Sequence, residues 1–511
     1  MSARRLKRPT ASPLAAIRSV LARASRLRSR HFIFAVVLLL LWLTASLHAQ
    51  QNGASSPIER VRRAVESLAQ SPTVATGTLG FFLASLDSPD RPLVQRLSRQ
   101  SFMTASTMKV VTTGVALEVL GPEFSFETRL TWHPQTGDLV IHGAGDPTLG
   151  RDNWEPLFDE WLAGLRTLGV TEIRGRVVAD ESAWEPREIP DGWTWLDIGN
   201  YYAPPLSPLA FHDNEFRLWF RLLGRPGDPA GCYDADPWPD GLRLRDEVTI
   251  GEPGTGDQAY AFAAPRDFRY TLRGTLAQDA GKEFIRAALP DSALFCAQQF
   301  RWFLQTRSIP VHGAPTTSRR LDEAGTALES GPGVAVAVHR SAPLRDLLVP
   351  INHLSLNLDC ECLLRTLGHG RAEAGLDTIR KHWADRKLPL AGFWQTDGSG
   401  LSRTNMITPE LLSRSLASVL AGAHGADFLA SLPSVGAPRS TLRRLRPASG
   451  GATIHAKSGT IERVKGYTGL VATESGRRYV FSVLVNNYDG PYEQDVGPGL
   501  QLLFEALTGL R

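Results

Sequence analysis

A serine and a lysine three residues apart, Ser106 and Lys109, are the first residues in this sequence whose types and spacing fit covalent chemistry. The apolar run at 110–120 that follows them ends at a Gly-Pro pair and predicts a buried helix that begins near Ser106. Positions three apart share a helix face, so the amine can reach the hydroxyl. A serine becomes nucleophilic when a base removes its proton, and a lysine is such a base only while its amine is neutral. The spacing alone is weak, because solvated helices carry it often.

Two further motifs could complete such a site. Burial and a nearby second cation both lower the pKa of a lysine, so a neutral base requires another positive group close by. The tetrapeptide 457–460, Lys-Ser-Gly-Thr, supplies that cation in a strand-like context, where Gly459 would let a substrate backbone approach. Ser355 and Asn357, at the two ends of a Ser-Leu-Asn triplet, offer a hydroxyl and an amide for a proton relay and for holding a substrate carbonyl. Taken singly, the tetrapeptide is more often a polar edge strand, and the triplet carries little information.

The order of the three motifs is more specific than any one of them. Ser-x-x-Lys, a Ser-Asp-Asn-type triplet and Lys-Thr-Gly, in this order, form the set typical of serine β-lactamases and penicillin-binding proteins. The present chain departs from that set at Leu356 and Ser458, the middle positions of the second and third motifs. Both departures keep the end groups that would do the chemistry.

The chain resembles the D-alanyl-D-alanine carboxypeptidase/endopeptidase family of low-molecular-mass class C penicillin-binding proteins. The resemblance covers nearly all of residues 60–510. An ordinary β-lactamase has a much shorter gap between its first two motifs, whereas this family carries extra domains there. Asp359 and Cys360 depart from the family, in which an aromatic and a small residue often stand at these positions. The resembling stretches are TASTMK at 104–109, GDPTL at 145–149, NYYAPP at 200–205, SLNL at 355–358, DGSGLSR at 397–403 and AKSGT at 456–460.

The resemblance implies the roles of five residues in acyl transfer. Ser106 would attack the carbonyl between two D-alanines, and Lys109 would accept its proton. Ser355 would help pass that proton to the departing amine, while Asn357 would hold the substrate. The backbone N–H groups of Ser106 and Thr460 would form the oxyanion hole. Neither a metal nor another cofactor is implied.

The resemblance also implies how the substrate binds. Lys457 would keep the site positive and bind the terminal carboxylate together with Ser458 and Thr460. Asp197, in the middle of the chain, is a candidate for binding the free amine of the substrate, as an acid does in some relatives. A Gly-rich turn that contains Asp397 and Ser399 is similar to one near the active site of the family, although a purely structural turn explains it equally well.

The pattern of predicted elements indicates an α+β fold. Strands and helices near both ends of the chain would form a penicillin-binding/serine β-lactamase-like domain, an antiparallel sheet flanked by helices, with parts at 55–127 and 336–511. Between them, 128–335 reads as one or more inserted strand-rich domains, with short strand-like pieces separated by Gly, Pro, Asp and Trp. A helix is expected at 291–308, and the helical pattern resumes through Leu344 to Leu367, with the Ser-Leu-Asn triplet at the start of 358–367.

The N-terminal region predicts export. Nine basic residues and no acidic one precede residue 51, and an apolar run at 32–47 follows them. Residues 1–49 are therefore a signal peptide or a membrane anchor, which leaves the body periplasmic or on the outer face of the cytoplasmic membrane. Removing these nine from the 56 basic residues leaves 47 against 52 acidic residues, a charge of −5. Such a body is not suited to nucleic-acid binding.

The four cysteines allow at most a minor structural role. One disulfide is possible among Cys232, Cys296, Cys360 and Cys362, but the sequence does not assign its partners, and no zinc spacing is present.

The function that fits all of this is a serine D-Ala-D-Ala carboxypeptidase/endopeptidase that acts on peptidoglycan stem peptides and cross-links and is covalently inhibited by β-lactams. A β-lactam hydrolase and a non-catalytic cell-wall-binding protein are the alternatives. The balance of the two peptidase activities, the diamino acid of the wall peptide and the number of subunits stay open at this point.

Overall fold

A computed structural model describes residues 56–281, 283–326, 328, 333–447 and 451–511. The predicted signal peptide or anchor at 1–49 lies outside the described residues. Val61–Arg511 form one compact unit. Within the described part, no helix has both the length and the apolar character that crossing a membrane requires.

Eighteen strands lie in the described residues and form five sheets. They are β1 (Thr78–Ser85), β2 (Ser88–Arg96), β3 (Phe102–Met103), β4 (Glu127–His133), β5 (Asp138–His142), β6 (Val177–Asp180), β7 (Glu215–Phe220), β8 (Cys232–Asp236), β9 (Arg243–Gly251), β10 (Tyr260–Phe262), β11 (Arg269–Ala277), β12 (Phe284–Ala288), β13 (Thr316–Thr317), β14 (Val334–Arg340), β15 (Met406–Ile407), β16 (Thr453–Ile461), β17 (Val464–Ala472) and β18 (Arg478–Asn486).

Twelve α-helices lie in the same residues. They are α1 (Pro57–Ala69), α2 (Pro72–Ala75), α3 (Lys109–Leu120), α4 (Glu155–Thr167), α5 (Ser292–Thr306), α6 (Ser318–Glu323), α7 (Leu344–Pro350), α8 (Asn357–Leu367), α9 (Ala372–Asp385), α10 (Pro409–Ala421), α11 (Gly425–Ser431) and α12 (Val496–Thr508). Short 3₁₀ segments occur at Ala105–Met108 and His212–Asn214, and a π-helical turn at Ile351–Ser355.

The main sheet is antiparallel, in the order β16-β17-β18-β1-β2, and is covered by helices on both faces. Adjacent residues of a strand point to opposite faces. On β18, Ser482 accepts a hydrogen bond from Ser413 of α10 at 2.8 Å. Its neighbour Phe481 packs edge-on against Phe504 of α12, with ring centroids 5.7 Å apart. The predicted α+β class, an antiparallel sheet flanked by helices, is confirmed.

Helix α3 lies in the core of this part of the molecule. Every residue from Lys109 to Leu117 is buried, and the apolar residues are spread around the helix instead of forming one stripe. A helix of this kind is stable only when other elements surround it. The two neighbours α8 and α10 pack against α3 and belong to the same apolar cluster. The N-terminus of α3 is thereby fixed beside β16.

A second apolar cluster lies in the inserted region. It draws on residues from Leu130 to Val311 and shares none with the cluster around α3. Its sheets are the mixed five-stranded β13-β6-β5-β4-β14 and two of three strands, β10-β11-β9 and β12-β7-β8. Two separate cores favour the proposed segmentation, but β4 pairs with β14 across both of the proposed boundaries. The boundaries at 128 and 335 stay a prediction.

The helices agree with the sequence pattern at one place and differ from it at two. The expected helix at 291–308 is confirmed as α5, but α4 was not anticipated. The helical pattern of 344–367 is divided at Ser355, whose φ is +66°. The extended residue Leu356 follows and serves as the N-cap of α8. A residue in the left-handed region cannot continue a right-handed helix, so the π-helical turn ends at Ser355 and α8 begins at Asn357.

Candidate active site

The nucleophile candidate lies in the 3₁₀ turn that leads into α3. Lys109 Nζ is 3.1 Å from Ser106 Oγ, and the lysine side chain is fully buried while Ser106 is partly exposed. The residue before the serine, Ala105, has a φ of +43°. Backbone strain of this kind at a non-glycine residue is typical of functional sites, where surrounding structure holds it in place. The predicted helix start near Ser106 is therefore present, with one 3₁₀ turn before the α-helix begins.

Lys109 is held by two further oxygens from different parts of the chain. Its Nζ donates to Asn357 Oδ1 at 2.6 Å and to the backbone carbonyl of Ser399 at 2.7 Å. Burial lowers the pKa of Lys109, and the acidic groups around it, which include Asp397, oppose that effect. Three oxygens around one buried amine fix its position relative to the serine hydroxyl.

The Gly-rich turn at 397–401 is the structural support for one of these contacts. Asp397 accepts hydrogen bonds from Gly400 N at 2.7 Å and Ser402 N at 2.6 Å. It also accepts one from the Asn405 side chain at 2.7 Å. The sequence alone does not decide whether Asp397 and Ser399 have a structural role or lie at the active site. In the structure Asp397 organises the turn, and the Ser399 carbonyl accepts a hydrogen bond from Lys109.

Sequence reasoning missed Glu361, a residue of α8 whose side chain forms hydrogen bonds with the same turn. Its Oε1 accepts the backbone N–H groups of Gly398 at 3.0 Å and Ser399 at 2.9 Å. Burial raises the pKa of Glu361 to about 7, and the Asp397 carboxylate adds to that effect. One signal for it exists, since Glu361 is four residues after Asn357 and so shares a face of α8.

The second lysine lies on the edge strand β16. Lys457 Nζ donates to Ser355 Oγ at 2.9 Å and to the carbonyl of Ser458 at 2.8 Å, and its side chain is fully buried. Burial, followed by the positive charge of Lys109, places the pKa of Lys457 well below its usual value. Because each charge disfavours the other, the site contains a pair of lysines that resists holding two protons.

Gly459 is required by the helix that carries the nucleophile. A Cβ atom at this position would lie 2.7 Å from the Thr104 carbonyl oxygen and 3.0 Å from Ser106 N. A side chain there would therefore collide with backbone. The glycine lets β16 approach the 3₁₀ turn, so that the backbone of this strand passes close to the N–H of Ser106.

Two more residues that the sequence did not indicate contact the Lys-Ser-Gly-Thr strand. Ser458 Oγ donates to Thr441 Oγ1 at 2.6 Å, and Lys465 Nζ donates to Thr460 Oγ1 at 2.7 Å. Thr441 comes from an irregular loop, which carries no sequence signal. Lys465 is opposite Thr460 in the β16–β17 pairing, a position that a predicted hairpin could have indicated.

The inserted region reaches the site through side chains and backbone. Asn357 Nδ2 donates to the Tyr202 carbonyl at 2.8 Å, and Trp193 Nε1 donates to Asp397 Oδ2 at 2.9 Å. Arg151 forms an ion pair with the buried Asp359, with a closest N–O distance of 3.0 Å. The stretches that carry Arg151, Trp193 and Tyr202 therefore help to position α8 and the Gly-rich turn.

Asp197 is held in a turn of its own. Its Oδ2 accepts hydrogen bonds from the backbone N–H of Thr194 at 3.0 Å and from the Thr194 hydroxyl at 2.6 Å. Among the described contacts, none joins Asp197 to Ser106 or to either lysine. Its role in binding an amine stays a prediction.

The four cysteines are all unpaired in the described structure. Burial raises the pKa of Cys360 to about 12, so this thiol stays neutral beside the lysines. Within the described residues, no group of three or more His, Cys, Asp or Glu side chains could hold a metal ion.

The sheet, the helices around it and the hydroxyl and amines at its edge strand place the chain in the class of penicillin-binding and serine β-lactamase-like proteins. Within that class, the chain belongs to the D-Ala-D-Ala carboxypeptidase 3 (S13) family, whose profile matches residues 61–506. The predicted family and the assignment as a serine-type D-Ala-D-Ala carboxypeptidase are confirmed.

Relatives of this chain are known in sequence and in structure. It is 24% identical over 477 residues to the D-alanyl-D-alanine carboxypeptidase of Actinomadura sp. strain R39. The alignment covers 89% of this chain and 86% of the relative. The crystal structure of penicillin-binding protein 4 from Haemophilus influenzae matches with a TM-score of 0.71 at 22% identity, covering 87% of this chain and 98% of that one. A complex of the same protein with a β-lactam matches with a TM-score of 0.66 at 20% identity and the same coverage.

Proposed function

We propose that this chain cleaves D-Ala-D-Ala bonds, and also D-alanyl cross-links, of peptidoglycan through an acyl-enzyme on Ser106. The observation that carries the proposal is a fully buried amine, Lys109 Nζ, 3.1 Å from the Ser106 hydroxyl and next to a second buried lysine. Burial and like charge both favour a neutral amine, which a general base must have. β-Lactams would acylate the same serine.

The geometry supports a sequence of steps for acylation. Ser106 Oγ attacks the scissile carbonyl carbon while Lys109 takes its proton. The N–H groups of Ser106 and Thr460 stabilise the resulting oxyanion, a contribution worth about 3 to 4 kcal/mol for each donor removed. The proton then travels to the departing amine by way of Ser355, whose hydroxyl is hydrogen-bonded to Lys457. Water later takes the place of the leaving group and hydrolyses the ester.

The two lysines offer a way for the substrate to prepare its own base. Asp397 and Glu361 lie near Lys109 and favour its protonated form, whereas the described contacts of Lys457 are neutral oxygens. A carboxylate that binds beside Lys457 would stabilise a proton on that amine. Repulsion from the newly charged Lys457 would lower the pKa of Lys109 and release it as a base.

The substrate also determines where the enzyme works. Peptidoglycan stem peptides lie outside the cytoplasm, and the basic segment and apolar run at the N-terminus fit export to the periplasm or to the outer face of the cytoplasmic membrane. Residues 32–47 would give membrane association if they are retained. The β-lactam complex of the Haemophilus influenzae protein makes these drugs the natural probe of the site.

Labelling with a fluorescent penicillin tests the proposal. We expect a stable adduct on the wild type, no adduct on Ser106→Ala, and acylation of Lys109→Ala slowed by at least about 100-fold, as for the loss of a general base. Ser101→Ala is the matched control, since this exposed serine contacts Gly392 and no residue of the site. Mass spectrometry of the labelled peptide would identify the acylated residue.

Three outcomes would contradict parts of the proposal. An unlabelled wild type would rule out the acyl-enzyme, and unchanged acylation of Lys109→Ala would remove the lysine as base. Rapid loss of the label would instead favour a β-lactam hydrolase. A digest of purified wall fragments, read by mass spectrometry, would separate carboxypeptidase products from endopeptidase products.

A further inference from the structure

Lys465 belongs to none of the motifs, yet its amine lies at the site. It stands directly opposite Thr460 in the antiparallel pairing of β16 and β17. Its Nζ donates a hydrogen bond to Thr460 Oγ1 at 2.7 Å. Thr460 is an exposed residue. The family resemblance implies that it helps to bind the terminal carboxylate of the substrate.

In the part of the chain that the structure describes, no anion is paired with the charge of Lys465. Its amine is 5.1 Å from the ring centroid of Tyr467 and 5.5 Å from that of Tyr492, so its described neighbours are π faces and a hydroxyl. No carboxylate among the described residues forms an ion pair with it. Burial, with the positive charge of Arg444, lowers the pKa of Lys465 to about 8, so the amine is mostly protonated at neutral pH. An unpaired cation at the edge of a binding site is suited to an anionic ligand.

The other two lysines are not available for this purpose. Lys109 is fully buried and surrounded by Ser106, Asn357 and Ser399. Lys457 is also fully buried and committed to Ser355 and the carbonyl of Ser458. Lys465 is only partly buried, so among the three it is the amine that can come close to a ligand.

We propose that Lys465 is a specificity residue that selects substrates with a free carboxylate on the leaving side of the scissile bond. The proposal rests on the peptidase function above and deepens it. The amine acts in two ways. It adds positive charge to the carboxylate subsite, and it occupies an acceptor position of Thr460 Oγ1, which leaves the threonine O–H free to donate to the carboxylate. The favoured leaving groups are a terminal amino acid, or the amino acid of a cross-link, whose α-carboxylate is not amidated.

Two thioester substrates isolate this effect. They share an N-acyl-D-alanyl group and differ in the leaving thiol, which is thioglycolate in one and thioglycolamide in the other. The first has a carboxylate where the second has a neutral amide, and release of the thiol gives kcat/KM for each. For Lys465→Met we expect the carboxylate-to-amide ratio of kcat/KM to fall about tenfold, the size expected for a lost hydrogen bond to a charged group. Arg444→Met is the matched control, because it removes a nearby cation that does not contact Thr460, and should change the ratio less than threefold.

The conservative variant Lys465→Arg gives a second test. Above pH 8 the wild type should lose selectivity for the carboxylate substrate as Lys465 loses its proton, whereas Lys465→Arg should keep its selectivity, since arginine stays charged. The groups that face Lys465 are Thr460, Tyr467, Tyr492 and the cations Arg444 and Lys457. Burial raises the pKa of both tyrosines, so neither accounts for a change near pH 8.

The outcomes separate this proposal from the one it rests on. An equal loss on both thioesters in Lys465→Met would assign the lysine a purely structural role, and an unchanged ratio would show that it does not select the leaving group. Either result overturns the inference while Ser106 still reacts with penicillin. A wild type that penicillin does not label would instead overturn the peptidase function. If Lys465→Met fails to fold, the pH comparison between Lys465→Arg and the wild type decides.

Discussion

In the inserted region the apolar core contains a cluster of aromatic rings. Phe158 stacks on Phe211 with centroids 5.7 Å apart and also contacts Phe300 at 5.0 Å. In the catalytic region, the side chains that are fully buried include two lysines, Lys109 and Lys457. Apolar burial stabilises a folded chain, whereas each buried charge costs free energy that its hydrogen bonds recover only in part.

The difference indicates a division of roles within one chain. The catalytic region needs buried amines because burial adjusts their pKa, and it accepts the cost in stability. The inserted region has no such requirement, and its aromatic core can supply stability. It also holds parts of the site in place through Trp193 and the Tyr202 carbonyl. Three substitutions test this comparison, and their expected effects decrease in size.

Phe158→Ala should have the largest effect on stability. Removing a fully buried phenylalanine leaves a cavity, and we expect the free energy of unfolding to fall by about 3 to 5 kcal/mol. Below the unfolding transition, penicillin should still label Ser106 at the wild-type rate, because Phe158 contacts none of the site residues in the described structure. Denaturant unfolding followed by tryptophan fluorescence, with labelling of the same samples, measures both.

The matched control for this substitution is Leu223→Ala. Leu223 is 82% exposed, so its loss should change the free energy of unfolding by less than about 0.5 kcal/mol. A small effect of Phe158→Ala, or slow acylation of its folded form, would argue against a stabilising core that is separate from the chemistry.

Lys457→Met should affect stability and chemistry in the opposite way to Phe158→Ala, because it should abolish acylation without lowering the free energy of unfolding. Methionine fills a similar volume without a charge, so we expect the free energy of unfolding to stay equal or rise by about 1 kcal/mol while acylation is lost. Lys381→Met, at an exposed lysine paired with Asp385, is the control and should leave both quantities nearly unchanged. A loss of more than about 1 kcal/mol at Lys457 would mean that its hydrogen bonds to Ser355 and Ser458 outweigh the cost of burying it.

The parts of the site that the sequence predicts are those with local spacing rules. Ser106 and Lys109 are three residues apart on one helix, so their contact follows from helix geometry alone. The strand that carries Lys457 follows from its apolar pattern and from the β-strands after it. The same reasoning predicted the antiparallel sheet, since it depends on patterns that repeat over many residues, whereas the inserted region at 128–335 stays a prediction.

The rest depends on groups that carry no sequence signal. The carbonyls of Ser399 and Tyr202 contact Lys109 and Asn357, but every residue has a carbonyl, so only the fold selects these two. Ser355 has a left-handed backbone, but neither it nor the residues next to it are glycine or proline, so the sequence does not mark the break before α8. Lys465 meets Thr460 only because β16 and β17 pair in one particular register.

Glu361→Gln should have the smallest effect of the three substitutions, because a glutamine oxygen can still accept hydrogen bonds from the N–H groups of Gly398 and Ser399. The folded pKa of Glu361, about 7, is above its usual value, so the folded state binds this proton more tightly than the unfolded state does. This carboxyl therefore makes the wild type less stable as the pH rises from about 4.5 to about 7, and its effect is constant above that range. The free energy of unfolding of Glu361→Gln should lack this decrease, so the variant gains on the wild type between pH 5 and pH 8.

The same substitution should also change the acylation profile. An ionised Glu361 raises the pKa of Lys109, so its removal lowers that pKa and moves the acidic limb of the acylation rate to lower pH. We expect a shift of less than about one pH unit, with the plateau rate within about threefold of the wild type, since the turn keeps its hydrogen bonds. Glu373→Gln, at an exposed acid of α9, is the control and should leave the limb where it is. A limb that moved to higher pH, or a collapsed plateau, would mean that the charge of Glu361 stabilises the turn instead of tuning the base.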